Sequence, residues 1–139
     1  MDGSTPYENK KATIISIDEL MNKYGKDVPF IIEIKDSEED GKKAADELIR
    51  IIKKYNMENR TIVASFHDEV FNYISDKYSD IMLSPSRGAT KNFVINAYTL
   101  SSLFFNEDIV ALQIPCEDSG IVLDTKMLIK TAHRRNIAV

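Results

Sequence analysis

Pro29-Phe30-Ile31-Ile32-Glu33-Ile34-Lys35-Asp36 is the stretch that decides the fold. β-branched and aromatic residues at this density read as a buried strand. Side chains alternate along a strand, so Ile31, Glu33 and Lys35 share one face and Ile32 and Ile34 the other. A sheet covered by helices buries the isoleucine face. The opposite face then carries a carboxylate and an ammonium, neither of them stable in an apolar interior unless paired, hydrated or metal-bound. In parallel α/β sheets and barrels ligands bind at the C-terminal ends of the strands, where Glu33 and Lys35 fall. Two readings of the pair stand. One is a structural ion pair filling the inside of a sheet. The other is a carboxylate ligating a hard divalent cation beside a lysine that neutralises an anionic substrate.

Outward from this strand, helix and strand patterns alternate. Residues 1–13 are polar, with Gly3 and Pro6, and read as a lead-in loop. Ser16 and Glu19 form a capping box that opens a helix ending at Gly25. After the organising strand comes a polar loop, Asp36 to Asp40, whose acids suit a solvated helix N-terminus. A helix is expected from about Gly41 to Tyr55, with Ala44, Ala45, Leu48, Ile51, Ile52 and Tyr55 at three-and-four spacing and Asn56 as its C-cap. A strand over Thr61–Phe66 and a helix over Asp68–Tyr78 follow. Next come a short strand over Ile81–Ser84, a loop over Pro85–Gly88 and a long helix capped by Thr90 that runs to Phe105. A strand over Ile109–Ile114, a helix capped by Asp124 and a strand opening at Ile137 complete the pattern, with Asn136 at the left-handed position before that strand. The connections are too long for hairpins. That implies an α/β fold of parallel strands with right-handed crossovers.

Composition narrows the function. The chain has 139 residues, enough for one domain, with 43% hydrophobic and 29% charged residues. No apolar run approaches the roughly 20 residues of a membrane helix. The N-terminus lacks the features of a signal peptide, and a cytoplasmic location is expected. The net charge of −4 disfavours nucleic acid as a partner. One cysteine, Cys116, excludes an internal disulfide and is read as a packing residue. Two histidines, His67 and His133, exclude a histidine-rich metal site. No Gly-rich phosphate loop or Gly-x-Ser-x-Gly elbow is present.

Ile32-Glu33-Ile34-Lys35, then Val63-Ala64-Ser65-Phe66-His67-Asp68-Glu69-Val70, then Leu112-Gln113-Ile114-Pro115, then Ala132-His133-Arg134-Arg135-Asn136 resemble, in order and spacing, bacterial glycerophosphodiester phosphodiesterases. Asp2-Gly3-Ser4-Thr5-Pro6-Tyr7 and Ser84-Pro85-Ser86-Arg87-Gly88 are similar to that family too. The resemblance implies a single partial (β/α)8 TIM barrel domain over residues 1–139, corresponding to about strands three to seven. It implies metal-assisted hydrolysis of a glycerophosphodiester to glycerol 3-phosphate and an alcohol, with magnesium or calcium as the cation. Glu33 then matches a metal ligand, Lys35 a phosphate-facing lysine, and Phe66 an apolar residue lining the substrate pocket.

The family's His-Arg-Gly on strand one, its Glu-x-Asp on strand two, the following His-Asp and the strand-seven tryptophan are missing, and the chain has no tryptophan. Acid–base work on a phosphodiester needs those histidines. The expectation is therefore a fragment that is inactive by itself, consistent with a chain that stops inside a strand. His67-Asp68 mimics the missing His-Asp, but Glu69-Val70-Phe71 continues it as an amphipathic helix, so a helix start is expected there. His133, in the last turn of a helix, reads as structural. Arg87 follows a strand end and is either an exposed arginine or a substrate-phosphate contact. A non-enzymatic alternative is a partial-barrel binding or assembly module that self-associates through its open strand edges.

Overall fold

The computed structural model describes residues 13–99 and 109–139. The expected lead-in loop, except Thr13, and residues 100–105 of the expected Thr90–Phe105 helix lie outside the described residues. The chain opens with α1 (Ile17–Tyr24), and Ser16 and Glu19 form the capping box as expected. β1 (Phe30–Ile34) follows, then α2 (Glu38–Lys54), a 3-10 turn (Glu58–Arg60), β2 (Thr61–Ser65), α3 (Asp68–Lys77), β3 (Met82–Leu83) and α4 (Arg87–Tyr98). The last part holds β4 (Glu117–Asp118), β5 (Ile121–Val122) and α5 (Lys126–His133).

β1, β2 and β3 form a parallel sheet in sequence order, with Ile32 opposite Val63 and Val63 opposite Leu83. The order continues through isolated backbone hydrogen bonds, one at the first junction and two at the second. Val110 N–H donates to the Leu83 carbonyl at 3.0 Å, Leu112 N–H to the Ala138 carbonyl at 2.7 Å, and Ala138 N–H to the Val110 carbonyl at 2.9 Å. Ala111 and Ala138 thus form a parallel bridge. The strand expected over Ile109–Ile114 is reduced to this bridge. The described α/β fold is a parallel three-stranded sheet alternating with helices, each helix packed on the next along the chain.

In-register partners share a face. Ile34, Val63 and Leu83 therefore join the buried cluster with Leu48, Ile49 and Ile52 of α2, Val70, Phe71 and Ile74 of α3, and Phe93 of α4. Burying each such side chain contributes roughly 1.5–3 kcal/mol. The other face of β1 is only partly covered among the described residues: Ile31 is 61% exposed there, whereas the Glu33 side chain is 27% exposed.

Several boundaries move. α2 starts at Glu38 and not Gly41, so Glu38, Glu39 and Asp40 form its first turn. Gly41 is needed inside the helix because a Cβ there would meet Val70 Cγ2 and the Asp36 carbonyl oxygen, both at 2.5 Å. α4 is capped by Ser86, whose Oγ accepts the Ala89 N–H at 3.1 Å, and not by Thr90. α5 is capped by Thr125 and not Asp124. Its hydroxyl accepts the Leu128 N–H and also meets the Tyr98 hydroxyl, 3.1 Å away. Asn136 takes the left-handed conformation expected of it, with φ of 58°; the C-cap of α2 is Tyr55 and not Asn56, which follows it in a left-handed conformation at φ 54°.

One connection is a hairpin after all. β4 and β5 pair antiparallel, and Ser119 and Gly120 turn between them with φ of 53° and 78°. Positive φ at both central residues is the hairpin geometry that matches strand twist. Cys116, at the hairpin's entry, is exposed and not a packing residue.

Candidate functional site

Three of the sequence-predicted residues bring their side chains together at the C-terminal ends of the strands, and a fourth, Arg87, adjoins them through its backbone. Glu33 is in β1, and Lys35 follows one residue after its end. Their side chains share the open face, where Lys35 Nζ lies 2.6 Å from Glu33 Oε2. The Lys35 ammonium also stands over the Phe66 ring, 5.5 Å from its centroid. Phe66 follows β2 and is 59% exposed, so its ring is available as an apolar wall. Arg87 is tied to the same edge, since its N–H donates to the Phe66 carbonyl at 3.4 Å. It is the first residue of α4 and not part of a loop, and its side chain is exposed.

Glu33 is the most constrained of the four. Its side chain is only 27% exposed, and Oε1 is buried without a hydrogen-bond partner. An unsatisfied carboxylate oxygen is costly and invites a cation or donor. Among the described residues, however, no group of three or more His, Cys, Asp or Glu side chains surrounds such a position. Hard divalent cations take about six or more oxygen ligands, several of them often from carboxylates or carbonyls. Glu33 supplies one free oxygen, and the Lys35 ammonium already neutralises the other. The described residues therefore do not fit the magnesium or calcium site that the resemblance implies.

The electrostatics of the edge are mixed. Asp36, Ser37, Glu38, Glu39 and Asp40 line a shallow pocket of about 220 Å³ beside Lys35. Lys42 pairs with Glu39 at 2.7 Å and Lys43 with Asp40 at 3.2 Å. The Lys42 ammonium and, in smaller part, that of Lys43 hold the Glu39 carboxyl below the usual range. This acidic rim opposes anion binding and leaves Lys35 and Arg87 as the attractive groups.

His67 is the start of a helix, as its sequence context suggests. It is the N-cap residue of α3, and Nε2 lies 3.2 Å from the Lys35 carbonyl oxygen while Nδ1 lies 3.9 Å from Glu69 Oε1. His133 ends α5 and is exposed.

A second polar cluster escaped the sequence reading. Asp46 of α2 accepts hydrogen bonds from Tyr78 at 2.7 Å, Tyr73 at 2.9 Å and Lys77 at 3.0 Å, and the Lys77 ammonium also meets the Tyr73 hydroxyl. The Tyr78 hydroxyl, then Lys77 and Tyr73, hold the Asp46 carboxyl below the usual range, while partial burial works against them. The Lys77 ammonium is stabilised in turn, first by Tyr73 and then by Asp46. The cluster links α2 to α3 on the outside of the molecule. The signal for it is Tyr73 and Lys77 one helical turn apart, but Asp46 is 27 residues away from Tyr73 and only the packing pairs them.

A scan against protein-family models and a search of curated proteins find no match for this chain. Among the described residues no helix is long and apolar enough to cross a membrane.

Proposed function

We propose that the chain is the central part of a glycerophosphodiester phosphodiesterase-type (β/α)8 barrel, and that the ends of β1 and β2 receive the phosphate end of a glycerophosphodiester. One observation carries this reading: Lys35, Glu33 and Phe66 converge on the open face at the C-terminal ends of parallel strands. That edge is where barrels bind their substrates. Lys35 supplies positive charge to a phosphate oxygen, Phe66 covers the glycerol carbons, and Arg87 at the rim adds a second cation. In-order strands with consecutively packed helices suit a barrel better than a doubly wound sheet, whose strand order reverses.

Hydrolysis by this chain alone is not part of the proposal. His67 faces the Lys35 carbonyl and Glu69, so no histidine is poised as acid or base above Glu33. A metal-dependent step would need ligands beyond Glu33.

Two measurements test the reading. Glycerophosphocholine incubated with the purified chain and magnesium or calcium should show no turnover, for the natural chain or for Glu33→Gln. Turnover abolished by Glu33→Gln would overturn the inactive part and strengthen the family assignment. Glycerol 3-phosphate at millimolar concentration should move the amide signals of Lys35 and Phe66, and not those of Lys35→Ala. Unmoved signals in the natural chain would overturn the site.

A second reading is favoured by one observation. Among the described residues β1 is an edge strand of the three-stranded sheet, and the face it shares with β2 exposes Ile31 near one end and Phe66 past the other. A second copy of the chain would cover both. Dimers in sedimentation that Ile31→Lys converts to monomers would support this module; a monomer at every concentration would eliminate it.

A further inference from the structure

We propose that Thr13, Ile14 and Ile15 are a docking arm that adds a strand to the outer edge of β1 in a second copy of this chain. The inference deepens the second reading, in which a second copy covers β1, by naming the segment that does so.

Two features of matching chemistry carry it. The first is the arm. Thr13, Ile14 and Ile15 precede the capping box of α1, belong to no helix or strand and are all exposed, Ile14 fully so. Among the described residues no backbone hydrogen bond holds any of the three. A lone exposed isoleucine is ordinary on a protein surface. Three β-branched residues in a row, with their backbone groups in water, have the composition of a strand and no sheet to join. Ser16, which follows them, is already extended, at φ −73° and ψ 158°.

The second feature is the edge. β1 pairs with β2 along one side only, so alternate residues of Phe30–Ile34 turn N–H and C=O groups outward with no partner among the described residues. Pro29 precedes this edge and Glu33 and Lys35 end it, residue types that blunt a strand edge. Between them Phe30-Ile31-Ile32 is left unprotected, three uncharged residues that match the arm in length. Either register gives the arm apolar neighbours: Ile31 on one face of the sheet, Phe30 and Ile32 on the other. In its own chain the arm is not on this edge. The residues before it, with Gly3, Pro6 and the polar run Glu8-Asn9-Lys10-Lys11, have no strand pattern with which to take its place.

Charge selects the antiparallel direction. Lys10 and Lys11 lie just ahead of the arm, and Asp36 and Glu38 just past β1. Lys42 and Lys43 already pair with Glu39 and Asp40, whereas among the described residues no cation pairs with Asp36 or Glu38. An antiparallel arm brings the two lysines to those two acids. A parallel arm brings them to Lys26 and Asp27, whose charges cancel. Two exchanged arms are small beside the roughly 1,200–2,000 Å² of a standard interface, so the dimer forms only at high concentration.

Sedimentation of the full chain at rising concentration, paired with amide hydrogen exchange, tests the arm. The natural chain should pass from monomer to dimer, and the outward amides of Phe30–Ile34 should exchange several-fold more slowly as it does. Adjacent N–H groups point to opposite sides of an extended segment, so one of Ile14→Pro and Ile15→Pro removes a donor that faces β1 and should abolish both effects. Ile14 and Ile15 lie outside the core cluster, so these variants should keep the far-UV circular dichroism of the natural chain. Lys10→Glu with Lys11→Glu, and high salt on the natural chain, should weaken the dimer several-fold without touching the fold. A monomer at every concentration overturns the arm, and so does a dimer that both proline variants leave intact. In that last case Ile31→Lys decides the second reading separately, since loss of the dimer there keeps a second copy over β1 without the arm. Outward β1 amides equally protected at every concentration would place this chain's own residues on the edge and overturn the exchange.

Discussion

The two faces of β1 show how one short strand serves two purposes. Ile34 is 6% exposed and packs under the helices, whereas Ile31, three residues earlier, is 61% exposed on the opposite side. Both are isoleucines in the same hydrogen-bonded strand, so backbone pairing does not distinguish them. Their worth differs because only one loses water contact on folding. The covered face supplies stability, and the opposite face carries the Glu33–Lys35 ion pair with the Phe66 ring against the ammonium.

The comparison is sharpest in a pair of truncations. Ile34→Ala should cost about 2–4 kcal/mol in urea unfolding, from lost burial and the cavity left behind. Ile31→Ala should change stability by less than about 0.5 kcal/mol, as surface substitutions usually do. Equal losses would mean that something covers the open face in solution.

The seam between the faces depends on caps. Ser86 is 1% exposed and holds the Ala89 N–H. Ser86→Ala should cost about 1 kcal/mol, measured by the same unfolding experiment, and should loosen Arg87 beside it.

The helix layer is tested by acid. Asp46 is held below the usual carboxylate range by Tyr78 first, then by Lys77 and Tyr73, so folding favours its ionised form. That contribution is present above the ordinary value of 3.8 and is lost as pH falls further, toward the lowered value in the folded protein. The carboxylate is 43% exposed, and discounted for solvent the cluster contributes about 0.5–1 kcal/mol. Asp46→Asn should remove that amount at neutral pH and flatten the stability curve below pH about 4. An unchanged acid limb would show that the cluster adds nothing.

What the sequence made legible follows from how local each cause is. The Ser16–Glu19 capping box, the left-handed Asn136 and the strand over Thr61–Ser65 depend on neighbours within a few residues, and the structure has them. The expected start of α2 at Gly41 falls three residues late, because the run of acids Glu38, Glu39 and Asp40 has no apolar periodicity of its own and yet forms the first turn. The hairpin was missed because Glu117–Asp118 and Ile121–Val122 are each two residues long, too short for periodicity, although Ser119-Gly120 is a turn signal. At the strand ends, the shared face of Glu33 and Lys35 follows from alternation alone. The reach of His67 to the Lys35 carbonyl, of Asp68 to the Gly88 N–H and of Glu69 to the Glu38 N–H does not, since each partner is 20 or more residues distant.

Lys35→Ala gives the smallest expected effect on stability and the finest test of the two faces. The Lys35 side chain is 72% exposed, so its ion pair with Glu33 is screened and its loss should change stability by no more than about 0.5 kcal/mol. Were the pair enclosed, removing the ammonium would strand a buried carboxylate and cost about 3–5 kcal/mol. Glu33 Oε1 is already without a partner, so no second donor within the described residues would soften that loss. A small change in Lys35→Ala together with a small change in Ile31→Ala therefore establishes a face that stays open to solvent. A small change in Ile31→Ala with a large one in Lys35→Ala confines the cover to the strand ends, where a bound anion or cation would sit.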